Sequence, residues 1–257
     1  MSTPLPPATI ADEIHGYEWV RDTVGQSGNA VHRLRGPGRD LFLKHGRGEA
    51  AEEVTDEMVR LAWLRGRIPA PEVVRFVRSP EDAWLLTTAL PGRSALLEIE
   101  ADAERVVDAL ADFTRRLHAL DADTCPFVAG HAFRLRHARA NIDAGRVDAD
   151  DFDEERQGWT PEQVWQELTA LLPLEAGRVV THGDLSLDNV LLSNGEVTGL
   201  LDVGRLGLAD RYQDLGILSN ALGGFGADLR ARFLQRYGET EPDLRRLSFH
   251  VLLDELF

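Results

Sequence analysis

Apolar and polar positions alternate in short runs from Tyr17 to His45. YEWVRDTV (17–24), AVHRLRG (30–36) and DLFLKH (40–45) are rich in Val, Tyr, Phe and Leu and are separated by glycine clusters, which predicts three strands. GQSGN (25–29) forms the turn between the first two. Over 50–66 the period changes to Val54, Met58 and Leu61, spaced i, i+4, i+7, which predicts a helix closed by Pro69 and Pro71. VVRFV (73–77) and AWLLTTAL (83–90) return to strand character around a SPED turn, and LPGRS (90–94) reads as a linker.

Beyond that linker the pattern is mostly helical. Val106, Leu110, Phe113, Leu117 and Leu120 alternate four and three apart and predict a long amphipathic helix over 103–120. Further helices are expected over 131–145, 161–172, 209–222, 227–237 and 242–256. VVTHGD (179–184), NVLLS (189–193) and VTGLLDV (197–203) read as short strands, with Asn194-Gly195 as a hairpin turn. A strand-rich lobe with one helix would precede a helix-rich lobe with a small strand cluster, with a cleft between them.

Composition narrows the chemistry. The 257 residues carry 28 Lys+Arg against 43 Asp+Glu, a net charge of −15. That balance argues against nucleic acid, whose phosphates attract Lys and Arg, and favours a cationic ligand. One cysteine, Cys125, excludes an internal disulfide and a cysteine-built metal site. No signal peptide or apolar run of membrane-spanning length is visible, so a cytoplasmic protein with no membrane partner is expected. The sequence lacks GxxxxGK[ST], HExxH and GxSxG, which removes Walker-type, zincin and α/β-hydrolase chemistry.

Lys44, in LFLKHG (41–46), is the only lysine; the other 27 basic residues are arginines. A position that keeps a compact ammonium under such a bias is a candidate for chemistry a guanidinium cannot do. Glu57 falls on the apolar stripe of the 50–66 helix, where a charge is costly unless paired, and Lys44 is the partner on offer. In VVTHGDLSLDNVLLSNGEVTGLLDVGR (179–205), Asp184 and Asn189 lie five apart across a turn and Asp202 follows a hairpin. Three oxygen groups at strand ends suit Mg²⁺ and the orientation of a hydroxyl. Residues 148–155 hold six acids in eight positions, a use for which is a polycationic ligand.

HGDxxxxN followed by D-x-G, after a glycine loop, a strand Lys and a helix Glu, resembles the eukaryotic-like protein kinase fold. VVTHGD, D-x-GRLG-x-ADRYQD (202–214), DADDFDEERQGW (148–159) and the terminal LLDELF (252–257) resemble the aminoglycoside 3′-phosphotransferases, from about Tyr17 to Phe257. The resemblance implies an α+β, bilobal fold with a nucleotide-binding lobe (1–89) and a catalytic and aminoglycoside-binding lobe (90–257). It implies ATP-dependent phosphorylation of an aminoglycoside hydroxyl, the 3′-OH of drugs such as kanamycin or neomycin, with resistance as the outcome.

The same resemblance implies roles. Asp184 is the catalytic base or orienter, Asn189 and Asp202 hold Mg²⁺, and Lys44 with Glu57 positions the α- and β-phosphates of ATP. Ser27 covers the phosphates, and Thr88, Ala89 and Leu90 form the hinge beside adenine. Asp151, Asp153, Glu154, Arg205, Asp254, Glu255 and Phe257 receive the aminoglycoside, Phe257 through its α-carboxylate. His182 organises the loop rather than moving protons. Asn220-Ala221 stands where family members often place Arg-Asp, which removes one acid from the drug site. A kinase for another small alcohol, or a nucleotide-binding pseudokinase, are the alternatives; the acidic segment weighs against the first, and the full set of Lys44, Glu57, Asp184, Asn189 and Asp202 against the second.

Overall fold

A computed structural model describes residues 5–21, 30–36, 38–175 and 177–257. The chain divides into two compact units, residues 1–92 with 198–204, and 93–197 with 205–257.

The first unit contains α1 (Ala8–Glu13), β1 (Glu18–Arg21), β2 (Ala30–Arg35), β3 (Leu41–Arg47), α2 (Glu49–Leu64), β4 (Val73–Arg78) and β5 (Asp82–Thr88). The strands form one antiparallel sheet in the order β1-β2-β3-β5-β4. β5 lies inside this sheet and is buried from Ala83 to Thr88, which explains its unbroken apolar run. α2 buries Ala51, Val54, Leu61 and Leu64 and packs on β3, β4 and β5. At Gly46 a Cβ would collide with the Ala50 carbonyl, so glycine lets α2 start directly beside β3. The helix stops at Leu64, well before the prolines expected to end it, because Gly66 takes φ 76° and turns the chain.

The sequence pattern gave no sign of α1, which contributes Ile10 to a core cluster with Ile14, Leu34, Leu41, Leu43, Trp84 and Leu86. Residues 198–204 join this unit through hydrogen bonds to backbone carbonyls. Leu200 N donates to Pro69 O at 3.0 Å and the Thr198 hydroxyl to Pro91 O at 2.6 Å.

The second unit begins with β6 (Arg93–Ser94), α3 (Ala95–Glu98), α4 (Ala103–His118), α5 (His131–Asp143) and α6 (Pro161–Ala170). β7 (Val179–Thr181), β8 (Val190–Ser193) and β10 (Gly207–Ala209) follow, then α7 (Tyr212–Gly223), α8 (Ala227–Tyr237) and α9 (Leu244–Asp254), while β9 (Glu196–Leu200) starts in this unit and from Thr198 on belongs to the first. β7 pairs antiparallel with β10, and β6 with β8. The Asn194-Gly195 turn has φ 54° and 76° at its two residues, the left-handed pair that a two-residue hairpin needs.

α4 buries Val106, Leu110, Phe113 and Leu117 as its period predicts, and Asp102 caps it by accepting from Arg105 N. It packs on α8, which with α9 flanks α7. α7 is buried continuously from Tyr212 to Ser219. A second core cluster joins α5, α6 and α9 through Ala138, Val164, Leu168, Phe249, Leu252 and Leu253, and it includes Phe152 and Leu256. The acidic segment is therefore anchored by Phe152, between 3₁₀ turns at Ala149–Asp151 and Glu154–Arg156. Residues 201–203, expected to continue a strand, leave it: β9 ends at Leu200 and Asp202 has φ 48°. Among the described residues no helix is long and apolar enough to cross a membrane.

Candidate active site

In the first unit the only lysine meets two carboxylates. Lys44 Nζ lies 2.7 Å from Glu57 Oε2 and 2.6 Å from Asp202 Oδ1. Strand alternation turns Leu41 and Leu43 into the core and Lys44 to the other face of β3. Burial alone would lower the Lys44 pKa, but the charges of Glu57 and Asp202 and their hydrogen bonds outweigh it and hold the ammonium above its ordinary value. The left-handed backbone at Asp202 places its carboxylate there, half exposed beside the half-buried Lys44–Glu57 pair.

The end of β5 is fixed on both sides. Thr88 N donates to Glu72 O, the Thr88 hydroxyl accepts from Glu72 N, and Ala89 N donates to Asp40 O, each at 3.0 Å. Leu90 packs where a side chain on Gly199 would stand. Ser27 and the GQSGN turn lie outside the described residues.

In the second unit, β7 delivers His182, Gly183 and Asp184 into a loop held from several directions. The buried Asp214 carboxylate accepts from His182 N at 2.8 Å, Gly183 N at 2.9 Å and His118 Nε2 at 3.0 Å. Burial would raise the Asp214 pKa; the His118 hydrogen bond and charge, with His182 and the Gly183 amide, reverse the shift and keep it ionised. The Gly183 carbonyl accepts from buried Arg134 Nη1 at 3.0 Å and from Gln213 Nε2 at 3.4 Å. Gly183 itself has φ 87° and lies so close to the Arg205 carbonyl that no Cβ fits. His182 is fully buried, and its Nδ1 accepts from Asp184 N at 3.3 Å.

Asp184 emerges half-buried, 3.5 Å from Arg205 Nη1. Asn189 Nδ2 donates to Asp184 O at 2.9 Å, which closes the loop and commits the nitrogen end of the amide, so the oxygen is the end that could hold a metal.

The acidic segment reaches the chain end. Asp153 N donates to Glu255, and Arg156 Nη1 bridges Glu255 Oε1 at 3.1 Å and Asp153 Oδ2 at 3.4 Å. Asn220 Nδ2 donates to Asp153 Oδ2 at 2.6 Å. The amide at this departure from the family pattern thus orients Asp153. Asp151 and Glu154 lie exposed on the two 3₁₀ turns. The Phe257 ring carries two guanidinium groups, Arg134 at 4.4 Å and Arg205 at 5.0 Å from its centroid. Burial, then the Asp184 charge, pushes Asp254 up to about 6, and burial with Asp153 pushes Glu255 up to about 7.

Asp214, Gln213, His118 and Arg134 escaped the sequence reading. Asp214 ends the YQD stretch, where its spacing marks no role. Arg134 was one arginine among many, and only its burial distinguishes it.

Residues 18–250 match the phosphotransferase enzyme family. An aminoglycoside 3′-phosphotransferase of Escherichia coli is 50% identical over 261 residues, covering 100% of this chain and 96% of its own. The crystal structure of a type VIII aminoglycoside 3′-phosphotransferase superposes with a TM-score of 0.86 at 40% identity over 97% of each chain. An aminoglycoside phosphotransferase of Streptomyces rimosus, solved with ADP and streptomycin, gives 0.83 at 28% identity over 96% of this chain and 95% of that one. The chain is a bilobal, protein-kinase-like enzyme and belongs to the phosphotransferase enzyme family, with the aminoglycoside 3′-phosphotransferases among its relatives.

Proposed function

We propose that this enzyme transfers the γ-phosphoryl group of ATP to the 3′-hydroxyl of an aminoglycoside and so confers resistance to it. The Lys44 ammonium, clamped between Glu57 and Asp202, is the observation that carries the kinase reading. Its three donors and point charge suit the α- and β-phosphates, and Glu57 keeps it in place when they bind. Full-length similarity to aminoglycoside 3′-phosphotransferases, with the net charge of −15, supports the substrate class.

Asp184 orients the drug hydroxyl and takes its proton as the oxygen bonds to the γ-phosphorus and the bond to the β-phosphate oxygen breaks, releasing ADP. The Asp214, Arg134 and Asn189 contacts fix the loop that carries it. Asn189 and Asp202 offer the hard amide and carboxylate oxygens that suit Mg²⁺, which when bound neutralises phosphate charge. Thr88, Ala89 and Leu90 form the adenine hinge, and Ser27 is assigned to the phosphate-covering turn.

Asp151, Asp153, Glu154, Asp254, Arg205 and Phe257 meet the drug. Glu255 acts through Asp153, since Arg156 and Asp153 N already engage it. The cytoplasm is the compartment that supplies the ATP.

The test is purified enzyme with Mg²⁺-ATP and a panel of aminoglycosides, choline, homoserine and macrolides, with products mapped by phosphorus and proton NMR. A 3′-phosphorylated aminoglycoside is expected. Turnover of a different alcohol alone, or none, would overturn the assignment.

A further inference from the structure

Three side chains that the phosphoryl transfer does not use meet inside the second unit. His131 opens α5, Asp210 lies between β10 and α7, and His250 lies in α9. Asp210 and His250 are buried, while His131 keeps 13% of its side chain accessible. Their separations are unusual: His131 Nε2 to His250 Nε2 is 3.3 Å, and Asp210 Oδ2 lies 3.9 Å and 4.0 Å from those two nitrogens. All three exceed the distance of a good hydrogen bond. Yet one point in their plane lies about 2.2 Å from every atom, close to the roughly 2.0–2.2 Å that Zn²⁺ takes to imidazole nitrogen and carboxylate oxygen.

The surrounding bonds orient the donors. Gln213 Nε2 gives a hydrogen to Gly183 O, so Gln213 presents Oε1 to His250 Nδ1, 2.9 Å away. His250 must therefore carry its proton on Nδ1, which leaves Nε2 as a bare lone pair facing His131. An oxygen acceptor behind a histidine is the usual support of a metal-binding imidazole. Arg246 grips Asp210 from the other side, with Nε at 2.9 Å from Oδ2, and Tyr212 N holds Oδ1. That grip fixes the carboxylate but offsets its charge, so the affinity should be moderate.

We infer that His131, His250 and Asp210 form a site for a borderline divalent transition metal such as Zn²⁺, with His131 at its accessible rim and a fourth position left for water. The residue set is distinct from the pair assigned to Mg²⁺, and hard Mg²⁺ would not favour two imidazoles. The ion would tie α5, α9 and the start of α7 together. Through His250 and Gln213 it would also brace the Gly183 carbonyl.

The full-length enzyme, stripped with a chelator, is titrated with Co²⁺ while its visible ligand-field absorption is followed, then with Zn²⁺ in competition with a chromogenic chelator. One equivalent of Co²⁺ should bind, be displaced by Zn²⁺, and resist Mg²⁺ in large excess. His131→Gln, which removes a direct ligand, should weaken Zn²⁺ binding by more than the roughly 10- to 100-fold that loss of an outer partner costs. It should also remove the rise in melting temperature that Zn²⁺ gives the parent enzyme, while turnover with Mg²⁺-ATP persists. Absence of saturable Co²⁺ or Zn²⁺ binding to the folded enzyme, or binding unchanged in His131→Gln, would overturn the site.

Discussion

The guanidinium of Arg134 lies 4.4 Å from the centroid of the Phe257 ring while its Nη1 holds the Gly183 carbonyl. One buried side chain thus touches both the residue before Asp184 and Phe257. Its Nε and Nη2 find no hydrogen-bond partner among the described residues, and burial, then the nearby Arg205, lowers its pKa to about 10. Arg134→Met should cut kcat about 10- to 100-fold and raise KM for the aminoglycoside, with KM for ATP nearly unchanged. Phe257→Ala, which removes the ring between Arg134 and Arg205, should raise KM for the drug alone. Steady-state kinetics with each substrate varied checks both; parallel losses in the two KM values would point to general damage instead.

Lys44→Arg keeps the charge but not the point ammonium that Glu57 and Asp202 share at 2.7 Å and 2.6 Å. A planar fork cannot meet two carboxylates and phosphates from the same position. We expect kcat/KM for ATP to fall about 100-fold or more. Unchanged kinetics in ATP would make the lone lysine a matter of composition only.

Much of this site was readable before the fold was known. The Lys44–Glu57 pair followed from a charge on an apolar helix stripe and from the absence of any other lysine. The hairpin at Asn194-Gly195 followed from local backbone preference. Asp202 is a candidate in the sequence, yet its segment reads as strand because Leu200 and Leu201 continue an apolar run, and the turn taken at Asp202, with φ 48°, is not encoded in that run. Asp214 and Arg134 were illegible for a similar reason. Their importance lies in burial against His182 and Gly183, which no spacing along the chain encodes.

Asp254 and Glu255 give the enzyme a pH signature. Burial and neighbouring acids raise them to about 6 and about 7, above their ordinary 3.8 and 4.5. Folding therefore takes up protons at both. Their contribution to stability is full below about pH 4 and is lost as pH rises through 6 to 7. A bound ammonium favours the ionised forms, so drug affinity should increase from about pH 5 to 7 and binding near pH 6 should release protons. Calorimetry in buffers of different ionisation enthalpy measures that release. It should shrink in Asp254→Asn; an equal release in the variant would remove Asp254 from the drug site.

Asp184 bears the central claim, and its loop is held by enough other contacts for an isosteric change to leave the fold intact. The decisive measurement is single-turnover phosphorylation of an aminoglycoside by Asp184→Asn at saturating Mg²⁺-ATP, alongside its melting temperature and its affinity for ATP. The account predicts a rate lowered about 100-fold or more with the melting temperature and ATP affinity preserved. A folded variant that transfers phosphate at near the parent rate would contradict it.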